Sequence, residues 1–276
     1  RLQPMSGAPG LTRELCARIN ATTFESLGEA CVARVKQAIS DGIAVAVAGA
    51  RETQVALLAS HVKSLGGALQ ATVWRHGYRT STVQAAYVNG VAIHVLDFEP
   101  MWLPPTHSVS PVLPVALALA EANGHDGREV IAAVARGMEL QGRIQYAANQ
   151  FEPEKLRFHP PGVAGVMGAA VTAGALLKLD CERLGWALGI AGSRAGALLP
   201  NIGSMTKATH CGHAASCGLD AALLRSYYEA WNDREAYATS HVGWGMNTDA
   251  RPESMMMYDR AQINGTELRA FGGNFL

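Results

Sequence analysis

Charge is scarce in this 276-residue chain: only 17% of its residues are Asp, Glu, Lys or Arg, and 23 basic side chains balance 23 acidic ones. Binding nucleic acid or an anionic membrane through a global field needs a surplus of positive charge, so neither partner is expected. Any anionic ligand must instead be met by a local site. Long apolar runs are missing too. The longest, Val163 to Leu177, spans fifteen residues and carries Gly165, Gly168, Thr172 and Gly174. That falls short of a bilayer span and reads as a tightly packed buried helix. No secretory signal is read at Arg1. The five cysteines, Cys16, Cys31, Cys181, Cys211 and Cys217, are odd in number and form no C-x-x-C pair. Reduced thiols in a cytoplasmic compartment are expected rather than a disulfide framework. P-loop, G-x-G-x-x-G and G-x-S-x-G motifs are all absent, which removes the common nucleotide and serine-hydrolase routes.

What is present is apolar and helical. Hydrophobic residues make up 49% of the chain, enough to fill a sizeable core. Phe24 to Ala48 places Leu27, Ala30, Val32, Val35, Ala38, Ile39 and Ile43 on one broad stripe, and Ser81 to Val95 does the same with Val83, Ala86, Val88, Val91 and Ile93. Asp126 with Glu129 forms a capping box, and Asp180 caps the segment that starts at Cys181. "LQATVW" at 69–74 is a short strand. Small residues crowd several helices, as in "AGVMGAAVTAGALL" at 164–177, and allow close approach of helix axes. The expected class is all-α, a multi-helix bundle over residues 1–235, with no repeat period. Beyond it, residues 236–276 show neither a helical nor a strand period and stay unassigned.

Three stretches interrupt the helices with reactive groups. In "LDFEPMWLPPTHSVSPVLP" from Leu96, Asp97 ends one helix and His107 precedes the next, with Trp102, Pro104 and Pro105 stiffening the loop between them. Such a loop can hold a carboxylate and an imidazole at a fixed separation. In "RFHPPGVAG" at 157–165, His159 stands directly before a helix start, beside amide groups that attract an anion. In "GSMTKATHCGHAASCG" at 203–218, Lys207, His210 and His213 recur every third residue behind a cap at Ser204 or Thr206. A lysine in a first helical turn opposes the helix dipole, which points it toward a ligand's negative charge. His210, Cys211, His213 and Cys217 are all able to bind zinc, but their spacing aims them in different directions around a helix, so no metal is expected.

Taken together, "YVNGVAIHVLDFEPMWLPPTHSVSPVLPVALALAE", "FHPPGVAGVMGAAVTAGALLKLD", "ALGIAGSRAGAL" and "GSMTKATHCGHAASCGLDAALL" occur in the order of the MmgE/PrpD family motifs. The chain resembles that family over roughly residues 11 to 230. The resemblance implies a large helical domain that forms a homodimer, and a smaller α+β lid that this sequence lacks. Residues 236–276 would then be remnants of the lid or of C-terminal segments, and the chain would not be the whole protein. It also implies a lyase for a small di- or tricarboxylate, a dehydratase or decarboxylase, with no metal or organic cofactor. An epimerase of a dicarboxylate and a non-catalytic dimerisation scaffold are the alternatives. By motif position the catalytic groups fall on Asp97, His107, His159 and Lys207, with Trp102, His210 and Lys207 against the substrate. The family turn usually carries two further acids and a threonine where Glu99, Pro100 and Met101 stand here, which removes one hydroxyl contact. "FHPP" and Trp102 are closest to the decarboxylase branch.

Overall fold

The computed structural model describes residues 10–102, 104–148 and 156–224. The expectations for the tail at 236–276 lie outside these residues. In chain order the described elements are α1 (Leu11–Ala21), α2 (Gly28–Gly49), α3 (Thr53–Leu65), β1 (Ala71–Val73), β2 (Tyr78–Thr80), α4 (Thr82–His94), β3 (Met101–Trp102), β4 (Thr106–His107), α5 (Val109–Asn123), α6 (Gly127–Ala147), α7 (Pro160–Leu176), α8 (Cys181–Ser193) and α9 (Thr206–Leu223). The expected helical bundle is present, and the strands form only two small antiparallel ribbons, β1 with β2 and β3 with β4.

Local chemistry sets the element ends. Asp126 accepts from the backbone N–H groups of Arg128 and Glu129, and the Glu129 carboxylate accepts from the Asp126 N–H, which completes the capping box at the start of α6. Asp180 caps α8 through Arg183, and Ser81 caps α4 through Gln84. Pro160 and Pro161 occupy the first turn of α7, where a missing N–H costs nothing. At α9 the N-cap is Met205, with no side-chain cap; the Ser204 hydroxyl accepts from the Thr206 N–H instead. The stripe read on α2 is shifted: Val35, Ala38, Gly42, Val45 and Ala46 face inward, while Ile43 lies outward.

The core is built on α7, which packs between α6 and α9, while α4 lies across α9 and α5. Both α4 and α7 are buried almost all round, so neither shows an amphipathic face. Two glycine contacts let backbones meet. Between α6 and α7, a Cβ on Gly137 would sit 2.1 Å from Thr172 Oγ1 and 2.7 Å from the Gly168 carbonyl oxygen. Between α4 and α9, a Cβ on Gly90 would sit 2.8 Å from Gly212 Cα, and one on Gly212 would sit 2.3 Å from the Tyr87 carbonyl oxygen. No single helix among the described residues is long and apolar enough to cross a membrane, and none of the five cysteines forms a disulfide.

Gly212→Ala tests the second contact. Its methyl would meet backbone rather than a flexible side chain, so α4 and α9 must separate, and the expected cost is about 1–3 kcal/mol by urea unfolding. Gly127→Ala, where nothing lies within 4 Å of the added carbon, should be neutral or stabilise slightly, because alanine is the better helix former.

Candidate active site

Three helix ends and one ribbon converge on a single cluster of polar side chains, a pocket in the sense of a polar enclave within the bundle. α4 delivers His94 in its last turn, and the chain then reverses at Asp97, whose φ of 59° is left-handed. A non-glycine residue in that conformation is uncommon and is held there by its surroundings. The stiff loop expected from the prolines is a miniature hairpin: Met101 pairs with His107 and Trp102 with Thr106, and Pro104 and Pro105 occupy the turn. The hairpin carries His107 back beside Asp97. α7 contributes its N-cap, His159, whose N–H donates to the Ala197 carbonyl at 2.9 Å. α9 contributes Lys207, His210 and Cys211, which share one helix face because they are three and four residues apart.

The polar contacts form a continuous network. Lys207 Nζ donates to Asp97 Oδ2, and Asp97 Oδ1 lies 3.2 Å from His107 Nε2 and 3.7 Å from His94 Nε2. Glu99 is fully buried and serves three groups. Its Oε1 lies 2.7 Å from His94 Nδ1, accepts from Ser110 Oγ at 2.9 Å, and stands 3.6 Å from His107 Nδ1. On the other side of His94, the His159 ring lies 5.4 Å away between centroids, and His159 Nδ1 is 3.3 Å from His210 Nδ1. The side chains of His94, His107, His159 and His210 are all buried. Several polar atoms here have no hydrogen-bond partner, among them His94 Nε2, His107 Nδ1, Glu99 Oε2 and Thr106 Oγ1. Buried polar atoms are rarely left so in native proteins, and their density here makes this cluster the candidate site.

Burial divides the imidazoles into two kinds. It works against charge on His94, but the Cys211 sulfur and the Glu99 carboxylate outweigh it and raise the pKa to about 10. His159 goes the other way, pushed down to about 3 by burial and by the charge of His94, His210, Lys207 and His107. His107 and His210 are also lowered, chiefly by burial. Burial alone would raise Asp97; the Lys207 hydrogen bond and the nearby histidines bring it below the ordinary carboxylate range. The surroundings thus favour the charged form of His94 and the neutral forms of His107, His159 and His210, and a neutral imidazole can accept one proton and donate another.

Of the residues singled out in the sequence, Asp97, His107, His159, Lys207 and His210 meet in this pocket. Trp102 stands on the hairpin that carries His107, with its indole against α6, where a Cβ on Gly142 would sit 2.4 Å from Trp102 Cε2. Met101, in the position of the family's threonine, has an exposed side chain. His213, the third member of the histidine series, points away and lies 3.3 Å from Cys217 Sγ. The sequence assigns no catalytic or substrate-binding role to three central residues: His94, Glu99, noted only as a position of the family turn, and Cys211, noted only as a thiol able to bind zinc. His94 sits among alanine, valine and isoleucine within a helix, where its only signal was polarity in an apolar run.

The histidine environments give stability a pH dependence. Because His159 titrates below the ordinary value of 6.5, the unfolded chain binds more protons between pH 6.5 and about 3, and stability falls as pH drops through that window. His94, raised above 6.5, adds stability below that value and loses it as pH rises toward 10. Urea unfolding at pH 7, 6 and 5 should show stability declining with acid. His159→Gln should flatten that decline, since glutamine does not titrate.

The MmgE/PrpD N-terminal domain matches this chain over residues 13–227. The chain is 35% identical to human cis-aconitate decarboxylase over 219 residues, covering 78% of this chain and 46% of that protein. It is 30% identical to the cis-aconitate decarboxylase of Aspergillus terreus over 229 residues, covering 80% of this chain and 47% of that one. The chain therefore spans about half the length of the curated relatives it matches. A second likeness begins within α9: residues 211–276 match 2,5-dihydroxypyridine 5,6-dioxygenase. The Pseudomonas putida enzyme of that name is 42% identical over 59 residues, which cover 21% of this chain and 17% of that protein. The MmgE/PrpD match runs from α1 through α9, with the second likeness overlapping it only from residue 211 on, and this chain belongs to the MmgE/PrpD family through its N-terminal domain.

Proposed function

We propose that this helical domain forms the catalytic wall of a cofactor-independent lyase that decarboxylates a tricarboxylate of the cis-aconitate type. The observation that carries the reading is the pocket's composition. Four buried histidines and Lys207 face only two carboxylates, Asp97 and Glu99, in a protein that has no net charge. The names of the relatives supply the reaction class, and the pocket supplies groups suited to it.

A carboxylate of the substrate takes over the Lys207 ammonium from Asp97, and the His94 imidazolium adds a second positive centre beside it. The bond to the departing carboxylate then breaks. Its electron pair enters the adjacent unsaturated carbons, where conjugation with a remaining carboxylate and the fixed positive charges stabilise it. Carbon dioxide leaves, and one proton is placed on carbon. The His94 imidazolium supplies that proton and is reprotonated from solvent; we assign the relay to His107 and His159, each a neutral imidazole that takes up a proton at one nitrogen as it gives one from the other, His107 held by Asp97 and His159 by His210. His210 completes the carboxylate contacts, and Trp102 braces the hairpin that forms the substrate wall. Dehydration and epimerisation would pass through a similar carbanion, which accounts for the breadth of reactions on one site design. Assembly as a homodimer is also proposed, with exposed Ile43 and Val47 on α2 and Leu57 and Leu65 on α3 offering apolar surface for it.

Three measurements test the reading. In thermal melts with citrate, cis-aconitate, 2-methylcitrate and tartrate, cis-aconitate should stabilise most, and no stabilisation by any of them would reject an anion site. Carbon dioxide release from cis-aconitate should fall by about two to four orders of magnitude in His107→Gln or His159→Gln. Lys207→Met should lower turnover or substrate binding while the far-UV spectrum is unchanged. Full activity in that variant would remove Lys207 from the site.

A further inference from the structure

His94 has two ring nitrogens and spends only one of them. Nδ1 lies 2.7 Å from Glu99 Oε1, whereas Nε2 is buried with no hydrogen-bond partner, its contact with Asp97 Oδ1 being 3.7 Å. Cys211 and His159 adjoin the same ring. One donor atom from each of His94, His159 and Cys211 falls within 4.8 Å of the other two, and all three side chains are buried. We propose that these residues form a binding site for a thiophilic divalent cation of the zinc class. Nε2 of His94 and Sγ of Cys211 are among its ligands, and Glu99 is the carboxylate that orients the metal-bound imidazole.

The ligand chemistry fits. Two imidazoles and a thiol make a donor set that selects zinc-like ions over hard cations such as magnesium or calcium. Bond lengths of about 2.0–2.1 Å to nitrogen and 2.3 Å to sulfur set ligand atoms about 3.3–3.7 Å apart around a tetrahedral ion, so closing the shell needs movements of about 1 Å. That is within reach of side-chain adjustment on fixed helices. A ligating histidine almost always gives its other ring N–H to a carboxylate or carbonyl, and the His94–Glu99 bond already supplies this. The three ligands come from α4, the N-cap of α7 and α9, so a bound ion would also tie the helix ends together.

A second set, His94, Glu99 and His107, lies equally close. It would require the 2.7 Å His94–Glu99 hydrogen bond to be broken, and it contains no sulfur. The Cys211 set keeps that bond and uses Nε2, the ion displacing the Nε2 proton and the thiol proton of Cys211 to solvent. An ion held there would occupy His159, so on the functional reading above it blocks turnover rather than supporting it. The binding site itself does not depend on that reading, because it can be measured without substrate.

Cobalt(II) reports directly on sulfur ligation. The full reduced chain should bind one cobalt per chain with a thiolate-to-metal charge-transfer band in the near ultraviolet, and zinc should displace it. Cys211→Ser should abolish the band, and Glu99→Gln should keep it while weakening affinity about 10–100-fold. Cys217→Ser should change nothing, which separates this site from the Cys217–His213 pair further along α9. X-ray absorption at the zinc edge of the unmutated chain keeps the test independent of mutant folding, with one sulfur expected at about 2.3 Å. No retained cobalt, a charge-transfer band that persists in folded Cys211→Ser, or a zinc shell of nitrogen and oxygen alone would overturn the proposal. Decarboxylation is assayed on the metal-free chain: metal binding with no activity in that metal-free chain would leave this site standing and reject the function, and activity in a chain that binds no metal would do the reverse.

Discussion

The pocket depends on how closely α4 and α9 approach. Gly90 and Gly212 face each other with no room for a Cβ on either, and this contact sets the distance between the end of α4 and the start of α9. Asp97 and Lys207 are 110 residues apart in sequence, yet they are hydrogen-bonded. So are the surroundings of His94 and Cys211 shared, although one lies at the end of α4 and the other in α9. A side chain at either glycine would have to push the helices apart, and close-packed interiors resist such adjustment. The constraint is steric before it is electrostatic: the charges interact because two backbones can touch.

Around that contact a few polar groups are shared among many neighbours. Glu99 alone orders His94, His107 and Ser110, and its burial makes each of these interactions stronger than it would be in water. The result is one imidazolium surrounded by imidazoles that stay neutral. Such a pocket needs no charged surface elsewhere, which agrees with a chain whose acids and bases cancel. Lys207, paired with Asp97 at the first turn of α9, has a partner that offsets its unfavourable place by the helix dipole. That partner is the one a substrate carboxylate would replace.

The hairpin shows how a local rule serves a distant purpose. Prolines at 104 and 105 cannot continue a helix, so the chain turns, and the turn closes β3 on β4. Register then decides the chemistry: with Met101 opposite His107, the imidazole returns to within 3.2 Å of Asp97 Oδ1. The same register leaves the Met101 side chain outside and lays Trp102 on Gly142 of α6. The loop is therefore stiff through strand pairing as well as through proline.

Local signals sufficed where the physics is local. Asp126 with Glu129, Asp180 and Ser81 announce helix starts because their side chains bond to amides only two or three residues away. Prolines beside Asp97 and His159 mark breaks because their rings exclude a helix, and polar groups at such breaks stood out as Asp97, His107, His159, Lys207 and His210. The roles of His94, Glu99 and Cys211 were not legible, although Asp97 or His210 lies close by in sequence, because the groups that define them come from other elements. His94 and Cys211 lie inside helices among small and apolar neighbours, and Glu99 reads as an ordinary loop acid. Their roles come from groups brought in across the bundle, and the distances that create them are set by glycine contacts between helices remote in sequence. The amino-acid sequence by itself determined which segments are helical and where they break; only the tertiary structure decided which nitrogen of His94 is left free and what stands beside it, because that depends on packing between elements rather than on any one of them.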